Sequence, residues 1–257
     1  MKILASSALS LIFSFSTAWG ATPVETAKTL YKSHGESLVW VLAVLDIEAS
    51  AGGQPAQQQE QEIEVLGTVV HKDGLIAVPL SVLNPTLALR GRMINTPNGP
   101  VKLETKVNFK KVRLLLEDGT EIPAKVLITD EDIDLAIVGP DLESEEGEEA
   151  SYKPVDLASD ATLDVLDPQI LLYRLSKHMD RALAVEIGQC AAVIKRPRTY
   201  YQCTMIGLGG SVFNAAGKFV GLELNRLHQG QPVMTIVVPA ADIRDAVAQA
   251  AKKLHGK

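Results

Sequence analysis

Two Asp-Gly pairs, each set between apolar segments, limit the folds open to this chain of 257 residues. Asp73-Gly74 separates EIEVLGTVVHK from LIAVPLSVL, and Asp118-Gly119 lies in the middle of VRLLLEDGTEIPAKVLITD. An Asp-Gly pair between two such segments is a strong signal for a β-hairpin. The segments are rich in Val, Ile and Leu, which is typical of strands.

Similar apolar segments follow in the rest of the chain: QILLYRL, ALAVEIGQCAAVI, YYQCTMI, SVFNAAGKFVGLEL and PVMTIVV. Only the C-terminal stretch PAADIRDAVAQAAKKL has the spacing of a helix. Many short strands in two groups, followed by one helix, predict an all-β protein. We expect two six-stranded antiparallel β-barrels with a short C-terminal helix.

Composition divides the chain into five parts. The first twenty residues have a positively charged start, an apolar run and small residues before Ala21, which is the pattern of a signal peptide. No later run is long enough to span a bilayer, so we expect an exported protein, periplasmic or secreted, without a membrane span after signal removal. The predicted parts are a signal peptide (1–20), an N-terminal segment (21–36), the first barrel (37–140), a solvated acidic linker (141–151) and the second barrel with its helix (152–257). Within the first barrel, AGGQPAQQQEQ lacks apolar anchors and predicts a mobile loop.

Several function classes find no support in the sequence. The formal net charge is −6 and no stripe of Lys and Arg is present, which argues against a nucleic-acid partner. The histidines are scattered and no Cys-x-x-Cys spacing occurs, so we predict no metal site. GLGG precedes a strand instead of a helix, which is the wrong context for a phosphate loop. We expect no cofactor.

The two cysteines, Cys190 and Cys203, flank a predicted hairpin centred on Arg196 and Pro197. In that register the two cysteines lie opposite each other. Export favours a disulfide bridge, which would contribute roughly 3 kcal/mol in the chain-entropy model. The alternative is a pair of small buried apolar side chains. We favour the bridge.

Three stretches, LGTVVHKDGLIAVPLSVLN, VRLLLEDGTEIPAKVLITDEDIDLAIV and GLGGSVFNAAGKFVGLEL, resemble trypsin-like serine proteases in order and spacing. The closest likeness is to the HtrA/DegP-type branch. The second stretch is similar to the family segment that ends in Thr-Asp-Leu-Ala-Val, and the third resembles Gly-Asn-Ser-Gly-Gly-Pro followed by an apolar strand. The resemblance covers most of residues 36–250 and implies a chymotrypsin-like fold.

The resemblance also implies that the catalytic triad is incomplete. The family's histidine falls on Ser81, its aspartate on the retained Asp134, and its serine on Leu208. Ser211 takes the family's proline position, and Ile206 takes that of the glycine that usually donates to the oxyanion. The segment corresponding to the family's cleft and oxyanion loop contains Ile206, Gly207, Leu208, Gly209 and Gly210.

A serine nucleophile needs a base within hydrogen-bond reach, because an alcohol is barely ionised at neutral pH. Ser81 cannot act as that base, and Leu208 has no nucleophilic atom. We therefore predict no intact catalytic residues, and expect Asp134 to hydrogen-bond Ser81 or nearby N–H groups in a buried seam. A register shift would make Ser211 the nucleophile, which keeps a relocated active site open as an alternative.

These observations predict a pseudoprotease that binds a peptide or protein without cleaving it. An extended peptide would add to edge strands of the second barrel near YYQCTMI and VGLELNRL. The alternatives are an active serine endopeptidase or hydrolase that uses Ser211, and a structural subunit of an envelope complex. For the last, the insert at 84–109 offers Leu87, Leu89, Met93 and Ile94 as a partner contact or as a cover for the first barrel.

Overall fold

The structure is a computed structural model that describes residues 21–52, 56–96 and 99–256, and the statements below refer to these residues. The predicted signal peptide (1–20) lies outside them. The strands are β1 (Leu38–Ala51), β2 (Gln57–Val69), β3 (Ile76–Pro79), β4 (Met93–Thr96), β5 (Gly99–Leu115), β6 (Glu121–Asp130), β7 (Leu135–Pro140), β8 (Pro168–Arg174), β9 (Leu183–Ile194), β10 (Tyr200–Cys203), β11 (Ser211–Asn214), β12 (Phe219–His228) and β13 (Gln231–Pro239). The helices are α1 (Pro23–Ser33), α2 (Leu80–Leu83), α3 (Glu145–Glu149) and α4 (Ala240–Leu254), with 3₁₀ turns at Gly35–Ser37, Pro85–Leu89 and Lys177–Met179.

The first barrel is an antiparallel sheet in the order β1-β2-β3-β7-β6-β5, closed by pairing of β1 with β5. Strand β4 is attached to β5 outside the barrel. Both Asp-Gly turns lie where the sequence predicts them, with Gly74 and Gly119 at positive φ. Side chains that alternate along the strands fill the interior; examples are Val41, Leu114 and Val138.

The second barrel is closed in the order β10-β13-β12-β11-β8-β9. One apolar cluster takes residues from all six of its strands, among them Leu171, Val212 and Val237. A larger cluster combines Phe213 and Ile236 with residues of the first barrel, and helix α4 packs one face against it. The predicted all-β fold of two six-stranded antiparallel barrels with a C-terminal helix is confirmed. This architecture is consistent with a chymotrypsin-like fold.

Helix α1 lies within the predicted N-terminal segment and begins with a capping box between Thr22 and Glu25. Residues 141–151, predicted as a solvated linker, contain the short helix α3, which Ser144 caps. In the described part of the chain, no helix combines the length and apolar character needed to cross a bilayer.

The prediction of a mobile loop at AGGQPAQQQEQ is wrong for most of that stretch. Strand β1 continues to Ala51 and β2 begins at Gln57, and their register runs without interruption from Leu38 paired with Thr68 to Ala49 paired with Gln57. Since β5 pairs with the other side of β1 over the same length, the three strands form a ribbon that extends beyond the barrel. Backbone pairing therefore orders a glutamine-rich strand that side-chain hydrophobicity alone does not predict.

The insert at 84–109 forms part of this extension. Leu87 is buried in the core of the first barrel, which agrees with the covering role considered from the sequence. Met93, on β4, is 58% exposed. The insert thus contributes a buried anchor at one end and an exposed strand at the other.

The prediction of a disulfide bridge is wrong, because Cys190 and Cys203 are free thiols. The predicted register is present, because Cys203 pairs with Cys190 between β10 and β9. A β-bulge between Gln202 and Cys203 disturbs the ladder at that point, and each thiol has its own hydrogen-bond acceptor. Cys203 Sγ donates to Gln169 Oε1 at 2.6 Å, and burial raises the pKa of this thiol to about 12.

The two barrels meet where the segment before β11 contacts β2. Gly209 has φ +86°, and a Cβ added there would overlap the carbonyl of Leu66 on β2. Arg174 crosses between the barrels as well and donates to the carbonyl oxygens of Leu38 and Gly35. The close approach at Gly209 therefore depends on the absence of a side chain.

Replacing Gly209 should separate the effect of backbone conformation from that of close packing. Gly119 has nearly the same φ, +88°, but an added Cβ there meets no atom within 4 Å. Gly119→Ala should lower the free energy of unfolding by about 1–2 kcal/mol, the cost of a left-handed residue. Gly209→Ala should lower it by roughly 1–3 kcal/mol more, because the Leu66 carbonyl must also move. Urea denaturation of both variants measures the difference, and equal losses would contradict the tight contact.

Candidate functional site

Asp134 lies in the seam between the barrels, just before β7, and its side chain is 0% exposed. Oδ1 accepts a hydrogen bond from the Ser81 backbone N–H at 2.6 Å. Oδ2 accepts from the Ser81 hydroxyl and from the Asn225 backbone N–H, each at 3.0 Å. Since Ser81 belongs to α2 of the first barrel and Asn225 to β12 of the second, one carboxylate joins the two halves.

Ser81 completes this network. Its hydroxyl oxygen accepts from Asn225 Nδ2 at 3.0 Å while it donates to Asp134. The expected hydrogen bond between Asp134 and Ser81 is confirmed. Burial raises the pKa of Asp134 to about 6, although the backbone N–H groups of Ser81 and Asn225 oppose the increase.

Leu208 lies in the loop between β10 and β11, and this loop directs several N–H groups into the protein. Gly210 N–H donates to the Gly207 carbonyl at 2.7 Å, and Gly209 N–H donates to the Glu223 carbonyl at 2.8 Å. Gly207 N–H donates to the side-chain carboxylate of Glu223. The loop of Gly207, Gly209 and Gly210 is thus held by internal acceptors.

Glu223 was not among the site residues predicted from the sequence. It lies on β12 and is 1% exposed, with Gly207 N–H as the hydrogen-bond donor to its carboxylate. Burial raises its pKa to about 7, with a further contribution from the charge of Glu186. A charged residue in the apolar run VGLEL was the available signal.

Ser211 is 1% exposed at the start of β11. Thr68 donates its hydroxyl proton to the Gly209 carbonyl at 3.0 Å, so the Ser211 hydroxyl, 2.9 Å from Thr68 Oγ1, acts as donor to Thr68. All five histidines are among the described residues, and none hydrogen-bonds Ser211. This arrangement gives the Ser211 hydroxyl a structural partner and no general base.

A cavity of about 180 Å³ lies between the barrels beside Leu208. The first barrel contributes Trp40, Leu66 and Val82, and the second contributes Tyr173. Leu208 and Val82 both line it, and neither supplies a reactive atom; Ser81 does not line it. The exposed Ile206, 74% accessible, lies in the same loop but does not line the cavity.

In the described part of the chain, no group of three or more His, Cys, Asp or Glu side chains is placed to hold a metal ion.

Strand β12 pairs with β11 only up to Leu222, and beyond this point Asn225 N–H is bound to Asp134. The Asn225 N–H group is therefore not free to pair with a peptide at this edge of β12.

Neither a protein-family model nor a curated protein matches the chain. The description of the site accordingly depends on its geometry: two β-barrels, a buried aspartate that binds Ser81 and Asn225 across their seam, and a cavity between the barrels that Leu208 lines.

The pKa of Glu223 predicts how stability depends on pH. Because its pKa is raised from 4.5 to about 7, the native state binds more protons than the unfolded state between these values. The free energy of unfolding should therefore fall as pH rises from about 4.5 to 7. Glu223→Gln keeps an acceptor for Gly207 and removes the buried charge, so it should stabilise the protein at pH 8 by on the order of 1–3 kcal/mol.

Urea denaturation at pH 4.5 and pH 8 tests this prediction. Glu186→Gln is the comparison variant: Glu186 is exposed, accepts a hydrogen bond from Tyr173, and raises the pKa of Glu223 less than burial does. It should therefore change the pH dependence less than Glu223→Gln does. Equal pH dependence in Glu223→Gln and the unsubstituted protein would contradict a raised pKa at this residue.

Proposed function

We propose that this chain is an exported pseudoprotease of the HtrA-like, trypsin-fold type that binds an extended peptide or protein segment without cleaving it. The observation that supports the proposal is that both carboxylate oxygens of Asp134 already accept hydrogen bonds. In a working triad the aspartate orients an imidazole. Here its acceptor positions are occupied by the Ser81 hydroxyl, the Ser81 N–H and the Asn225 N–H.

The residue at the nucleophile position supports the same proposal. Leu208 presents an apolar side chain to the cavity between the barrels. Apolar walls with a few polar groups are typical of ligand-binding pockets, and a leucine there supplies no nucleophilic atom. The neighbouring loop uses the N–H groups of Gly207, Gly209 and Gly210 internally, so none of these three is available to a developing oxyanion.

Labelling with a fluorophosphonate probe separates this proposal from a hydrolase. We expect no adduct on the full chain under conditions that label a trypsin-like protease completely, because Ser211 is buried and donates to Thr68. Mass spectrometry of the intact protein and of its peptides is the measurement. An adduct on Ser211 that is lost in Ser211→Ala would show a relocated active site.

Binding in the cleft is tested by a matched pair of substitutions in one loop. Leu208→Glu places a carboxylate in the cavity and should weaken binding of extended peptides at least tenfold, which corresponds to about 1.4 kcal/mol. Ile206→Glu introduces the same charge on an exposed position outside the cavity and should change affinity less than twofold.

Fluorescence anisotropy with an unbiased set of labelled extended peptides provides the measurement, and circular dichroism checks that both variants are folded. Equal affinities for Leu208→Glu and Ile206→Glu would show that the cleft is not the binding site.

A further inference from the structure

The ribbon of β1, β2 and β5 has two outer edges, and the edge formed by β5 is protected. Strand β4 pairs with it at residues 99–102, and β6 pairs with it at residues 113–115. Between these points β5 carries Lys106, Lys110 and Lys111, and a β-bulge at Lys110 interrupts its register with β1. Lysines, bulges and covering strands are the features by which proteins keep an edge strand from pairing with another chain.

The edge formed by β2 lacks these features. In the described part of the chain, β3 pairs with β2 only at Thr68 and Val69, so the stretch 57–67 has no strand on the side away from β1. This stretch contains no proline, lysine or arginine, and its register with β1 has no bulge. An unprotected edge strand of this kind is a template on which another strand can pair.

Only the outer part of this stretch is open to a second chain. Glu64 binds Lys177 and Arg181 of the second barrel, whereas residues 57–60 are exposed and Gln61 is partly exposed. We call residues 57–61 the β2 edge. Because these residues lie at the surface and no strand covers their outer side, another chain can reach them.

The chemistry of the β2 edge makes it complementary to itself. Four of its five residues are glutamines. A glutamine amide has both a donor and an acceptor, so two glutamines can bind each other. The one charged residue, Glu60, forms an ion pair with Lys110 across the ribbon, which balances its charge.

We propose that the β2 edge pairs with the same edge of a second copy of this chain, antiparallel and around a two-fold axis at Gln59. In this register Gln59 faces Gln59 of the second copy, and Gln57 faces Gln61 of the second copy. Gln58 faces Glu60 of the second copy, and its amide can donate to that carboxylate. Every directly opposed pair thus joins two amides, or an amide and a carboxylate.

Other registers bring carboxylates together or shorten the contact. An axis at Glu60 would place Glu60 opposite its own copy, and an axis at Gln61 would place Glu60 opposite Glu62 of the second copy. Like charges directly opposite each other destabilise a pair of strands. An axis at Gln58 would leave only three residues paired, since β2 begins at Gln57. The axis at Gln59 therefore gives the longest contact without opposed carboxylates.

This contact closes after two copies. A two-fold contact uses the same surface on both subunits. The two ribbons would form one sheet in the order β5-β1-β2-β2-β1-β5, whose outer edges are the protected edges of β5. The inference does not depend on the proposed function, because none of the residues 57–61 lines the cavity beside Leu208.

Sedimentation equilibrium of the full chain under reducing conditions tests for the dimer. We expect a reversible equilibrium between monomer and dimer, without larger species. Gln59→Lys places two ammonium groups opposite each other on the axis and should raise the dissociation constant of the dimer at least tenfold. Asn108→Lys makes the same change from an amide to an ammonium group at an exposed position of β5 and should change that constant less than twofold.

Cysteine cross-linking tests the register. Residues directly opposite each other in antiparallel strands have Cα atoms about 4.5–5.5 Å apart, which a disulfide can span. With copper phenanthroline as the oxidant, Gln59→Cys should form a covalent dimer at least tenfold faster than Gln57→Cys, whose two copies would lie about 14 Å apart along the strands. The unsubstituted protein, with Cys190 and Cys203, and Asn108→Cys are the controls, and peptide mass spectrometry identifies the linked residues.

A chain that is monomeric up to about 1 mM would overturn the inference, even if an added peptide bound at the β2 edge. Equal effects of Gln59→Lys and Asn108→Lys would show that the β2 edge is not the interface. Cross-linking of Gln57→Cys as fast as Gln59→Cys would contradict the register. Circular dichroism and urea denaturation of each variant separate lost association from lost folding.

Discussion

The hydrogen bonds of Asp134 link the two barrels at a buried point of the seam. A buried carboxylate is tolerated only when donors satisfy it, and here both barrels supply them, through Ser81 and Asn225. The structure shows that a histidine is not needed for this arrangement, because a serine hydroxyl and two backbone N–H groups provide enough donors. The buried aspartate therefore has a structural role that does not depend on catalysis.

The loop that contains Leu208 depends on the same seam. Gly209 can approach β2 only without a side chain, and Thr68 of β2 holds both the Gly209 carbonyl and the Ser211 hydroxyl. From the other side, Glu223 holds the Gly207 N–H. The polar groups of the loop thus face inward, and the cavity receives the apolar side chain of Leu208.

The sequence predicts the positions of the strands better than it predicts the contacts between distant parts of the chain. The Asp-Gly hairpins and the two groups of strands follow from local patterns, and so does the register that places Cys190 opposite Cys203. The ordered strand that begins at Gln57 does not follow from a local pattern, because it depends on pairing with β1. The roles of Thr68 and Glu223 were also missed, since they arise only when the barrels are docked, and spacing along the chain contains no information on docking. The disulfide prediction failed for a similar reason: the bulge at Cys203 is a three-dimensional feature.

The proposed binding function follows from what an enzyme requires and this site lacks. Catalysis needs interactions that are stronger in the transition state than in the ground state, and these depend on a base and on free N–H donors at the reacting centre. In this site the N–H groups of Gly207, Gly209 and Gly210 are bound to internal acceptors, and the Ser211 hydroxyl is bound to Thr68. Interactions with the apolar side chain of Leu208 in the neighbouring cavity would act on a bound chain in its ground state. These features support the proposal that the cleft holds a peptide without cleaving it.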